Sequence, residues 1–352
     1  MAKIKLLIVD DSALIRQMLT QICNEADDIE VVGTAGDPLI ARDKIKTLNP
    51  DVLTLDVEMP RMDGLTFLRN LMRLRPMPVV MISTLTEKGA EVTLEALALG
   101  AVDFVAKPKV DVSQGLKAYA DEIVGKIRMA AQAKVKALET PKAQAITRQP
   151  EGSAHTVMKK HFKTTHKIVA LGSSTGGTEA VKQLVRTLPR TAPAIVIAQH
   201  LPLAFSASFA KHVNDATEMA VALAEDGQPI LPGHVYIAPG DRHFLVARDG
   251  ARYMCRLDDG PPVNRHRPSV EVLFRSVAQN VGGNAIGVML TGMGADGAKA
   301  MVEMRDAGAV NIVQDEVSSV VWGMPGEAFR LGAAHHVLSL DKIAEKILVL
   351  AE

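Results

Sequence analysis

The sequence predicts an α/β protein built from two doubly wound parallel-sheet domains that a polar linker joins. Its 352 residues are enough for two domains with separate cores. Short β-rich runs alternate with helical patterns twice, from residue 4 to about 128 and again from residue 167. The interval between these stretches is polar and contains prolines. We expect a first domain over 1–124, a helical extension and flexible basic linker over 125–166, and a second domain over 167–352.

The first stretch contains five strand-like runs with helical patterns between them. Strands are expected near residues 4–9, 30–34, 51–55, 78–82 and 102–105. The first helix has apolar residues at i, i+3, i+4, i+7 and i+8, which is the helical period. These residues are Ile15, Met18, Leu19, Ile22 and Cys23. The fifth helix is expected to continue through an alanine-rich segment to about Leu138. Five βα units predict a parallel sheet with both faces covered.

The second stretch begins after a basic segment, residues 140–167, which holds six Lys or Arg residues, one acid and few large apolar side chains. Such a composition is typical of a flexible linker. The expected strands after it are KIVALG, AIVIAQ, HVYIAP, HFLVAR, AIGVML and AVNIVQ. Helices are expected over 177–188, 204–213, 269–280 and 296–307.

The composition excludes several classes of protein. The 40 basic and 40 acidic residues give no formal net charge, which argues against a nucleic-acid binder. No apolar run approaches the ~20 residues of a membrane span, and the N-terminus does not resemble a signal peptide, so we expect a cytoplasmic protein without membrane insertion. Two distant cysteines, Cys23 and Cys255, fit neither a disulfide scaffold nor a zinc site.

Polar residues follow the predicted strands of the first domain, at the edge where ligands bind in parallel sheets. These residues are Asp10, Asp11, Asp56, Ser83 and Lys107. Three converging carboxylates repel one another unless a hard cation lies among them, and oxygen ligands suit Mg²⁺. A lysine and a hydroxyl at the same edge could bind a phosphoryl group. Each aspartate taken singly could equally be a turn residue or a helix cap.

In the second domain, a G-x-S-x-G pattern centred on Ser174 follows the first strand, as in serine hydrolases. A P-loop is disfavoured because Thr178 and Glu179 stand where Lys and Ser or Thr are required. A serine nucleophile needs a base and an acid. His200 and Asp296 also follow predicted strands, so the three side chains can meet at one edge.

Two alternatives remain open on the residues alone. His266 could be the base, although its neighbours Arg265 and Arg267 would oppose an imidazolium. The chain order Ser174, Asp296 and then His335 or His336 would fit an α/β-hydrolase, although both histidines precede a strand. Asp296 could also simply cap the helix that follows it, and the glycine-rich segment around Ser174 could be an ordinary turn.

The motifs LLIVDDS, TLDVEMPRMDG, VVMIS and DFVAKP resemble a response-regulator receiver domain. The resemblance implies that Asp56 accepts a phosphoryl group from a histidine kinase. It implies that Asp10, Asp11 and Asp56 hold Mg²⁺ together with the backbone carbonyl of Glu58. It also implies three residues that respond to the phosphoryl group. These are Ser83 and Lys107, which bind it, and Phe104, the switch aromatic.

The motifs LGSSTGGTEA, IAQHLP, NRHRPSVEVLF and MLTGMGADG resemble the catalytic domain of chemotaxis response-regulator methylesterases. The resemblance implies a triad of Ser174, His200 and Asp296, with backbone N–H groups near Thr175 and at Met293 in the oxyanion hole. It implies hydrolysis of glutamate methyl esters, and deamidation of glutamines, on chemoreceptors, with no cofactor at this site. It further implies that the unphosphorylated receiver covers the catalytic cleft.

Two other functions are considered on the sequence. The second domain could be a non-catalytic output domain that binds a partner, or the chain could be a general small-molecule serine esterase. No basic recognition helix stands out in 168–352, which disfavours a DNA-binding output. An esterase for small molecules is expected to have a deep apolar pocket, whereas a receptor esterase needs an open cleft.

Overall fold

The computed structural model describes residues 2–59, 62–84, 86–107, 116–135 and 167–352. Within these ranges the chain forms a five-stranded and a seven-stranded sheet, both parallel, together with a separate two-stranded sheet. The expectation of two α/β domains is confirmed. Residues 136–166, which hold Leu138 and the predicted basic linker up to residue 166, lie outside the described residues. Among the described residues, no helix is long and apolar enough to cross a membrane.

The first domain alternates strands and helices throughout. Strands β1–β5 span Ile4–Val9, Ile29–Ala35, Val52–Asp56, Val79–Ser83 and Asp103–Ala106. Helices α1–α5 span Ala13–Asn24, Pro38–Leu48, Gly64–Leu74, Glu87–Ala98 and Leu116–Ala130. The strand order is β2-β1-β3-β4-β5. Because the order reverses between β1 and β3, the residues that follow these two strands border the crevice where ligands bind in such sheets.

The helices of the first domain begin at residues whose side chains satisfy free backbone N–H groups. Ser12 accepts from the N–H of Ile15, and Asp37 accepts from Leu39 and Ile40. Helices α3 and α4 begin in the same way, with Asp63 and Thr86 as caps. Such caps each contribute about 1 kcal/mol and fix where a helix starts.

The fifth helix is shorter than expected from the sequence. Helix α5 ends at Ala130, and a turn follows in which the N–H of Gln132 donates to the carbonyl of Met129. Beyond the turn, Val135 packs in the same cluster as Val320 and Val321 of the second domain. The expected continuation of α5 to about Leu138 is therefore wrong for residues 131–135, which form a turn and then no regular structure. Packing of Val135 against the apolar cluster of the first domain outweighs the helical propensity of the alanines here.

The second domain continues the alternation with more elements. Strands β6–β9 span Ile168–Ser173, Ala194–Gln199, Ala220–Leu223 and His234–Ile237, and β10–β14 span His243–Asp249, Arg252–Asp258, Ala285–Met289, Val310–Gln314 and His336–Leu338. Helices α6–α11 span Gly177–Arg186, Leu203–Asn214, Val270–Asn280, Ala298–Asp306, Met324–Arg330 and Leu340–Ala351. A short 3₁₀ helix covers Gly282–Asn284. The order of the parallel sheet is β14-β13-β12-β6-β7-β9-β8, so its reversal falls between β6 and β12.

The run HFLVAR forms a strand, but outside the parallel sheet. It becomes β10, which pairs antiparallel with β11 in a hairpin whose partners run from His243 and Asp258 to Asp249 and Arg252. The hairpin packs against α8, where the N–H of Val246 donates to the hydroxyl of Ser276 at 2.9 Å. It therefore covers the outer face of α8 and holds that helix against the sheet.

The two domains contact each other through both apolar and polar side chains. Helix α4 packs against α7, and the ring of Phe104 stacks on Phe205 with centroids 4.4 Å apart. Phe104 and Phe205 are both buried. At the surface, Lys211 and Glu91 approach to 3.8 Å, an exposed pair that contributes little to stability. The buried aromatic pair therefore accounts for more of the interface energy.

Candidate active site and acidic receiver site

Ser174 lies on a tight turn between β6 and α6. Its N–H donates to the carbonyl of Thr291 at 3.0 Å, and its carbonyl accepts from the N–H of Gly177 at 2.7 Å. Gly176 has φ +74, and a Cβ there would lie 2.7 Å from the Val320 side chain. The turn thus requires glycine both for its backbone conformation and for space. It presents the half-buried Ser174 side chain at the carboxyl edge of the sheet.

Gln199 positions this turn from the neighbouring strand. Its side-chain oxygen accepts from the Ser173 hydroxyl at 2.6 Å, and its side-chain nitrogen donates to the Ser174 carbonyl at 2.9 Å. The sequence analysis missed Gln199. The available signal was a glutamine at the end of the apolar run AIVIAQ, where a buried amide must find hydrogen-bond partners.

His200 lies between Ser174 and Asp296. Its Nδ1 is 3.1 Å from the Ser174 Oγ, and its Nε2 is 2.9 Å from the Asp296 Oδ2. A carboxylate accepts only, so the contact with Asp296 favours a proton on Nε2. Nδ1 then has its lone pair directed at the serine hydroxyl. The structure thus brings the three predicted triad residues into one chain of contacts.

The carboxylate of Asp296 does not cap the helix that follows it, because the N-cap of α9 is Gly297. Instead it lies at the start of α8 and accepts from four groups in addition to His200. These are the Asn264 side-chain amide at 2.7 Å, the Ser269 hydroxyl at 2.8 Å, and the N–H groups of Val270 at 2.7 Å and Glu271 at 3.4 Å, besides His200. Asn264 was another residue that the sequence analysis did not identify.

These contacts determine the charge of Asp296. Burial alone would raise the pKa of its carboxyl, but hydrogen bonds and the charge of His200, with hydrogen bonds from Asn264 and Ser269, lower the pKa to about 2. The carboxylate is therefore ionised at neutral pH, and it can stabilise a positive charge on His200.

The other candidate histidines occupy different places. The ring of His266 stacks on His200 with centroids 3.7 Å apart and planes 9° apart. Burial, the neighbouring His200 and other nearby cations lower the pKa of His266 to about 4. Nδ1 of His335 accepts from the N–H of Asn311 at 3.0 Å, and His336 begins β14. The structure therefore places His335 and His336 at the start of a strand, away from the edge that carries Ser174.

The two residues expected at the oxyanion hole border the domain interface. Within the described ranges, the backbone N–H groups of Thr175 and Met293 donate to no protein acceptor. The Thr175 hydroxyl donates to the Asp103 carboxylate of the first domain. The Met293 methyl group lies 3.7 Å from the position that a Cβ on Gly125 would take. Both residues thus lie beside the first domain while their amides remain available.

A cavity of about 780 Å³ lies between the two domains beside Thr175 and Met293. Ser174, His200 and Met293 line it from the second domain, whereas Phe104 and Glu122 line it from the first. The triad therefore opens into a space that the first domain covers, rather than into a pocket within its own domain.

The first domain carries a second cluster of polar residues at its crevice. Asp10 and Asp56 are buried and Asp11 is exposed, and one carboxylate oxygen from each lies within 4.8 Å of the others. Nζ of Lys107 is 2.8 Å from the Asp56 Oδ1 and 3.6 Å from the Asp10 Oδ2. The Asp10 Oδ2 and Asp56 Oδ2 atoms are buried without a hydrogen-bond partner. Unsatisfied carboxylate oxygens of this kind fit a hard divalent cation such as Mg²⁺.

Burial raises the pKa values of both buried aspartates. The pKa of Asp56 rises to about 6, chiefly by burial and also through the charge of Asp10, although Lys107 opposes both effects. The pKa of Asp10 is raised by burial as well. This destabilisation of the carboxylates is relieved by a positive charge, which a metal ion would add to that of Lys107.

The remaining receiver residues from the sequence analysis make other contacts. The Ser83 hydroxyl bonds to that of Thr93 at 2.7 Å, and so it points toward α4. The Glu58 N–H donates to the Asp56 Oδ1 at 3.3 Å. Phe104 is turned inward against Phe205, with Lys126 5.0 Å above its ring. Of the two residues expected to bind a phosphoryl group, Lys107 contacts Asp56 in this structure and Ser83 does not.

Family models match both parts of the chain. The model of the response regulator receiver domain matches residues 6–119, and that of CheB methylesterase matches residues 169–347. A protein-glutamate methylesterase/protein-glutamine glutaminase 2 of Xanthomonas oryzae pv. oryzae is 60% identical over 348 residues, covering 99% of this chain and 97% of the relative. A relative from Hydrogenovibrio crunogenus is 57% identical over 373 residues, covering 99% of both chains.

A solved structure is also similar to the second domain. The Thermotoga maritima CheB methylesterase catalytic domain has 38% sequence identity and a TM-score of 0.51, and the match covers 52% of this chain and 98% of that one. The matched stretch accounts for about half of this chain, and the relatives above extend the likeness through the receiver as well. The chain therefore belongs to the CheB methylesterase family, with a receiver domain preceding the methylesterase domain.

Proposed function

We propose that the chain hydrolyses methyl esters of glutamate side chains on chemoreceptors and deamidates receptor glutamines. The observation that carries this proposal is the chain of contacts from Ser174 through His200 to Asp296, at 3.1 and 2.9 Å. That geometry joins a nucleophile, a base and an orienting acid, which acyl transfer requires. The names of the relatives supply the substrate class, which is a glutamyl ester or a glutaminyl amide on a protein.

Acylation begins when Nδ1 of His200 takes the proton from Ser174. The serine Oγ attacks the ester carbonyl carbon, and the negative charge on the carbonyl oxygen is stabilised by the N–H groups of Thr175 and Met293. One such donor contributes about 3–4 kcal/mol in other serine hydrolases. Asp296 keeps the Nε2 proton in place and stabilises the imidazolium. His200 then protonates the methoxy oxygen, the bond between this oxygen and the acyl carbon breaks, and methanol departs.

Deacylation repeats these proton transfers with water. His200 takes a proton from water, the hydroxide oxygen attacks the acyl carbon, and the bond to Ser174 breaks as the serine recovers its proton. The product is a glutamate side chain. With glutamine as substrate, ammonia leaves in the first half and the second half is identical. No residue of this sequence changes covalently over the full cycle.

Asp56 is the proposed phosphoacceptor, with a chemotaxis histidine kinase as the phosphodonor. The buried carboxylate lies beside Lys107, which neutralises charge on a phosphoryl group. Asp10, Asp11, Asp56 and the carbonyl of Glu58 are the proposed ligands of Mg²⁺, which supplies further charge neutralisation when bound. Ser83 would bind the phosphoryl group after its hydroxyl leaves Thr93. We propose that the enzyme works in the cytoplasm, where a kinase of this type has its ATP.

The receiver is proposed to inhibit the esterase by covering its cleft. Phe104 of the receiver packs on Phe205, and Asp103 accepts from the Thr175 hydroxyl next to the nucleophile. Phosphorylation at Asp56 acts on the same strand through Lys107, three residues after Phe104. A receptor helix needs the space that the receiver fills, so release of this contact is required for turnover.

The test of the esterase is methanol release from receptor membranes that carry radiolabelled methyl esters. Ser174→Ala should lower the rate at least about 10⁴-fold, because triad members act as a unit. His336→Gln is the matched control and should retain the wild-type rate. An unchanged urea midpoint by the fluorescence of Trp322, which lies in the second domain, would show that the Ser174→Ala variant remains folded. A Ser174→Ala variant that releases methanol at the wild-type rate would exclude Ser174 as the nucleophile and with it this function.

A further inference from the structure

The segment Val263–His266 forms a two-residue turn beside the triad. The N–H of Val263 donates to the carbonyl of His266 at 3.0 Å, and the N–H of His266 donates back to Val263 at 2.9 Å. The two central residues, Asn264 and Arg265, have φ +52 and φ +70. Positive φ at both central positions defines a type I′ turn, whose second position strongly favours glycine. Here that position is occupied by arginine.

Two residues of this turn, Asn264 and His266, contact members of the triad. Asn264 donates to the Asp296 Oδ1 at 2.7 Å and to the Glu271 Oε2 at 3.2 Å. His266 stacks on His200 with centroids 3.7 Å apart. The turn therefore holds the acid with one residue and the base with another. Arg265, between them, lines the same cavity as Ser174.

Arg265 is exposed, and within the described residues its guanidinium makes no hydrogen bond or ion pair. Arg267 differs, since it donates to the carbonyls of Asp259 and Gly260 at 3.0 Å each. Arg267 thus supports the loop, whereas Arg265 has no structural partner to explain it. A side chain retained in a strained backbone conformation without a structural contact indicates a functional requirement.

The cover of the cavity carries the opposite charge. Asp121, Glu122 and Lys126 of α5 line the cavity from the receiver side together with Asp103, so carboxylates outnumber the one amine there. Glu122 is paired with Lys126 at 3.1 Å, while Asp121 is exposed. The receiver surface that lies over the cleft therefore presents carboxylates to a cavity that Arg265 lines from the other side. A substrate that replaces it gains from carrying carboxylates in the same region.

We propose that Arg265 is a substrate-binding residue that pairs with a carboxylate side chain of the receptor close to the scissile ester. This inference rests on the proposed function and specifies the substrate further, as a glutamyl ester with an acidic neighbour. An arginine fits this task because its guanidinium pairs with carboxylates in a defined, two-pronged geometry. The turn supplies the required rigidity, because its two flanking side chains are held by Asp296 and His200.

The deciding variant is Arg265→Gly in the full-length protein, assayed with acetyl phosphate and Mg²⁺ so that the cleft is open. Glycine relieves the backbone strain, so the variant should have a higher Tm than wild type. Its kcat/KM on methylated receptor membranes should nevertheless fall about 10- to 100-fold, mostly through KM, as expected for loss of a hydrogen bond to a charged group. The wild-type kcat/KM should decrease with added NaCl, and this dependence should weaken in the variant.

Two comparisons separate this role from a general effect of charge. Arg252→Gln removes one positive charge from the β10–β11 hairpin and should match wild type in kcat/KM. Receptors whose glutamates next to the ester are changed to glutamine should be poorer substrates for wild type but not for Arg265→Gly. Equal kcat/KM and equal salt dependence in wild type and Arg265→Gly would overturn the inference. A wild-type protein that releases no methanol would instead overturn the proposed function.

Discussion

The carboxylate of Asp296 both orients His200 and accepts hydrogen bonds from the start of α8. It holds the Nε2 side of His200, and it accepts the N–H groups of Val270 and Glu271 at the start of α8. A negative charge at a helix N-terminus is favourable because the free N–H groups there carry partial positive charge. The position of the base is therefore tied to the position of a core helix, and a replacement of Asp296 should affect stability as well as activity.

His266 should make the stability of the second domain depend on pH. Its folded pKa is about 4 against 6.5 for an ordinary histidine, because burial and the charges of His200, Lys126 and Arg265 outweigh the opposing Asp296. The unfolded chain therefore binds a proton at higher pH than the folded chain does. The stability that neutral His266 contributes is complete above pH 6.5 and is lost as pH falls from 6.5 toward 4.

His266→Phe keeps an aromatic stack without the titration. The free energy of unfolding of wild type, relative to this variant, should fall by about 2 kcal/mol between pH 7 and pH 4.5. Urea denaturation followed by the fluorescence of Trp322, the single tryptophan, reports on this domain. His234→Phe, outside the cleft, is the control and should follow wild type. Parallel curves for wild type and His266→Phe at both pH values would contradict the shifted pKa.

At the residue level, the sequence could indicate the reactive side chains of the triad but not the residues that position them. Ser174, His200 and Asp296 stand out because each follows a predicted strand, so topology alone brings them to one edge. Asn264 carries no such signal, and Gln199 is marked only by its place at the end of an apolar strand. Their roles depend on hydrogen bonds between segments that are distant in sequence, such as Asn264 and Asp296. The stacking of His266 on His200 likewise depends on the turn conformation and not on a residue pattern.

Among the elements, α8 packs so closely on β6 that one position requires glycine. A Cβ on Gly172 would lie 2.2 Å from a methyl carbon of Val270 and 3.2 Å from the ring of Phe274. Gly172→Ala should therefore push the helix away from the sheet. We expect the variant to lose about 1–3 kcal/mol of stability, as in other overpacked cores.

The measurement for Gly172→Ala is urea denaturation by Trp322 fluorescence. Because α8 carries the residues around Asp296, esterase activity should decrease with the stability. Gly283→Ala is the matched control, since a Cβ there meets only ordinary contact at 3.6 Å from the Gly308 carbonyl. A Gly172→Ala protein as stable as the Gly283→Ala protein would show that α8 adjusts without strain.

The sequence predicts buried strands better than exposed elements. Strands such as β7 are apolar along their whole length and are recognisable as central strands of a parallel sheet. Strand β8 lies at the sheet edge and is partly exposed, β11 is polar, and α10 has only seven residues, so their patterns are weak. The end of α5 depends on packing of Val135 against an apolar cluster whose members are distant in sequence, which no local pattern contains.

For the whole molecule, the receiver contact predicts a difference between the full chain and its catalytic part. A fragment of about residues 150–352 should release methanol faster than the unphosphorylated full-length protein at the same receptor concentration. The reason is that Phe104 and Asp103, which pack at the cleft, are absent from the fragment. The solved catalytic domain from Thermotoga maritima supports the expectation that such a fragment folds.

Acetyl phosphate with Mg²⁺ should raise the full-length rate and leave the fragment unaffected. Asp56→Asn should remain at the low rate, because it lacks the carboxylate that would be phosphorylated. The same methylated receptor membranes serve for all three proteins. Equal rates for the fragment and the unphosphorylated full-length protein would mean that the receiver only docks the enzyme and does not cover the cleft.

The arrangement of the two domains is the least predictable level. Each domain follows from local alternation of strands and helices, but the contact between Phe104 and Phe205 joins residues that no periodicity relates. Resemblance to a family supplied the expectation of a covered cleft. The contact between the domains cannot be predicted from composition, because apolar side chains are common on the surface of any protein and do not by themselves mark an interface.

A receiver that covers the cleft, as proposed above, is a competitor that is tied to the enzyme by its own chain. A tethered competitor acts at an effective concentration that the length of its tether sets, and this concentration can reach the millimolar range. Receptors that are dilute cannot displace it, whereas receptors crowded on a membrane reach comparable local concentrations. The enzyme would therefore respond to receptor density as well as to phosphorylation, and the same number of receptors should be demethylated faster when packed densely in vesicles than when dispersed in detergent. Equal rates in the two preparations for the unphosphorylated protein would exclude this competition.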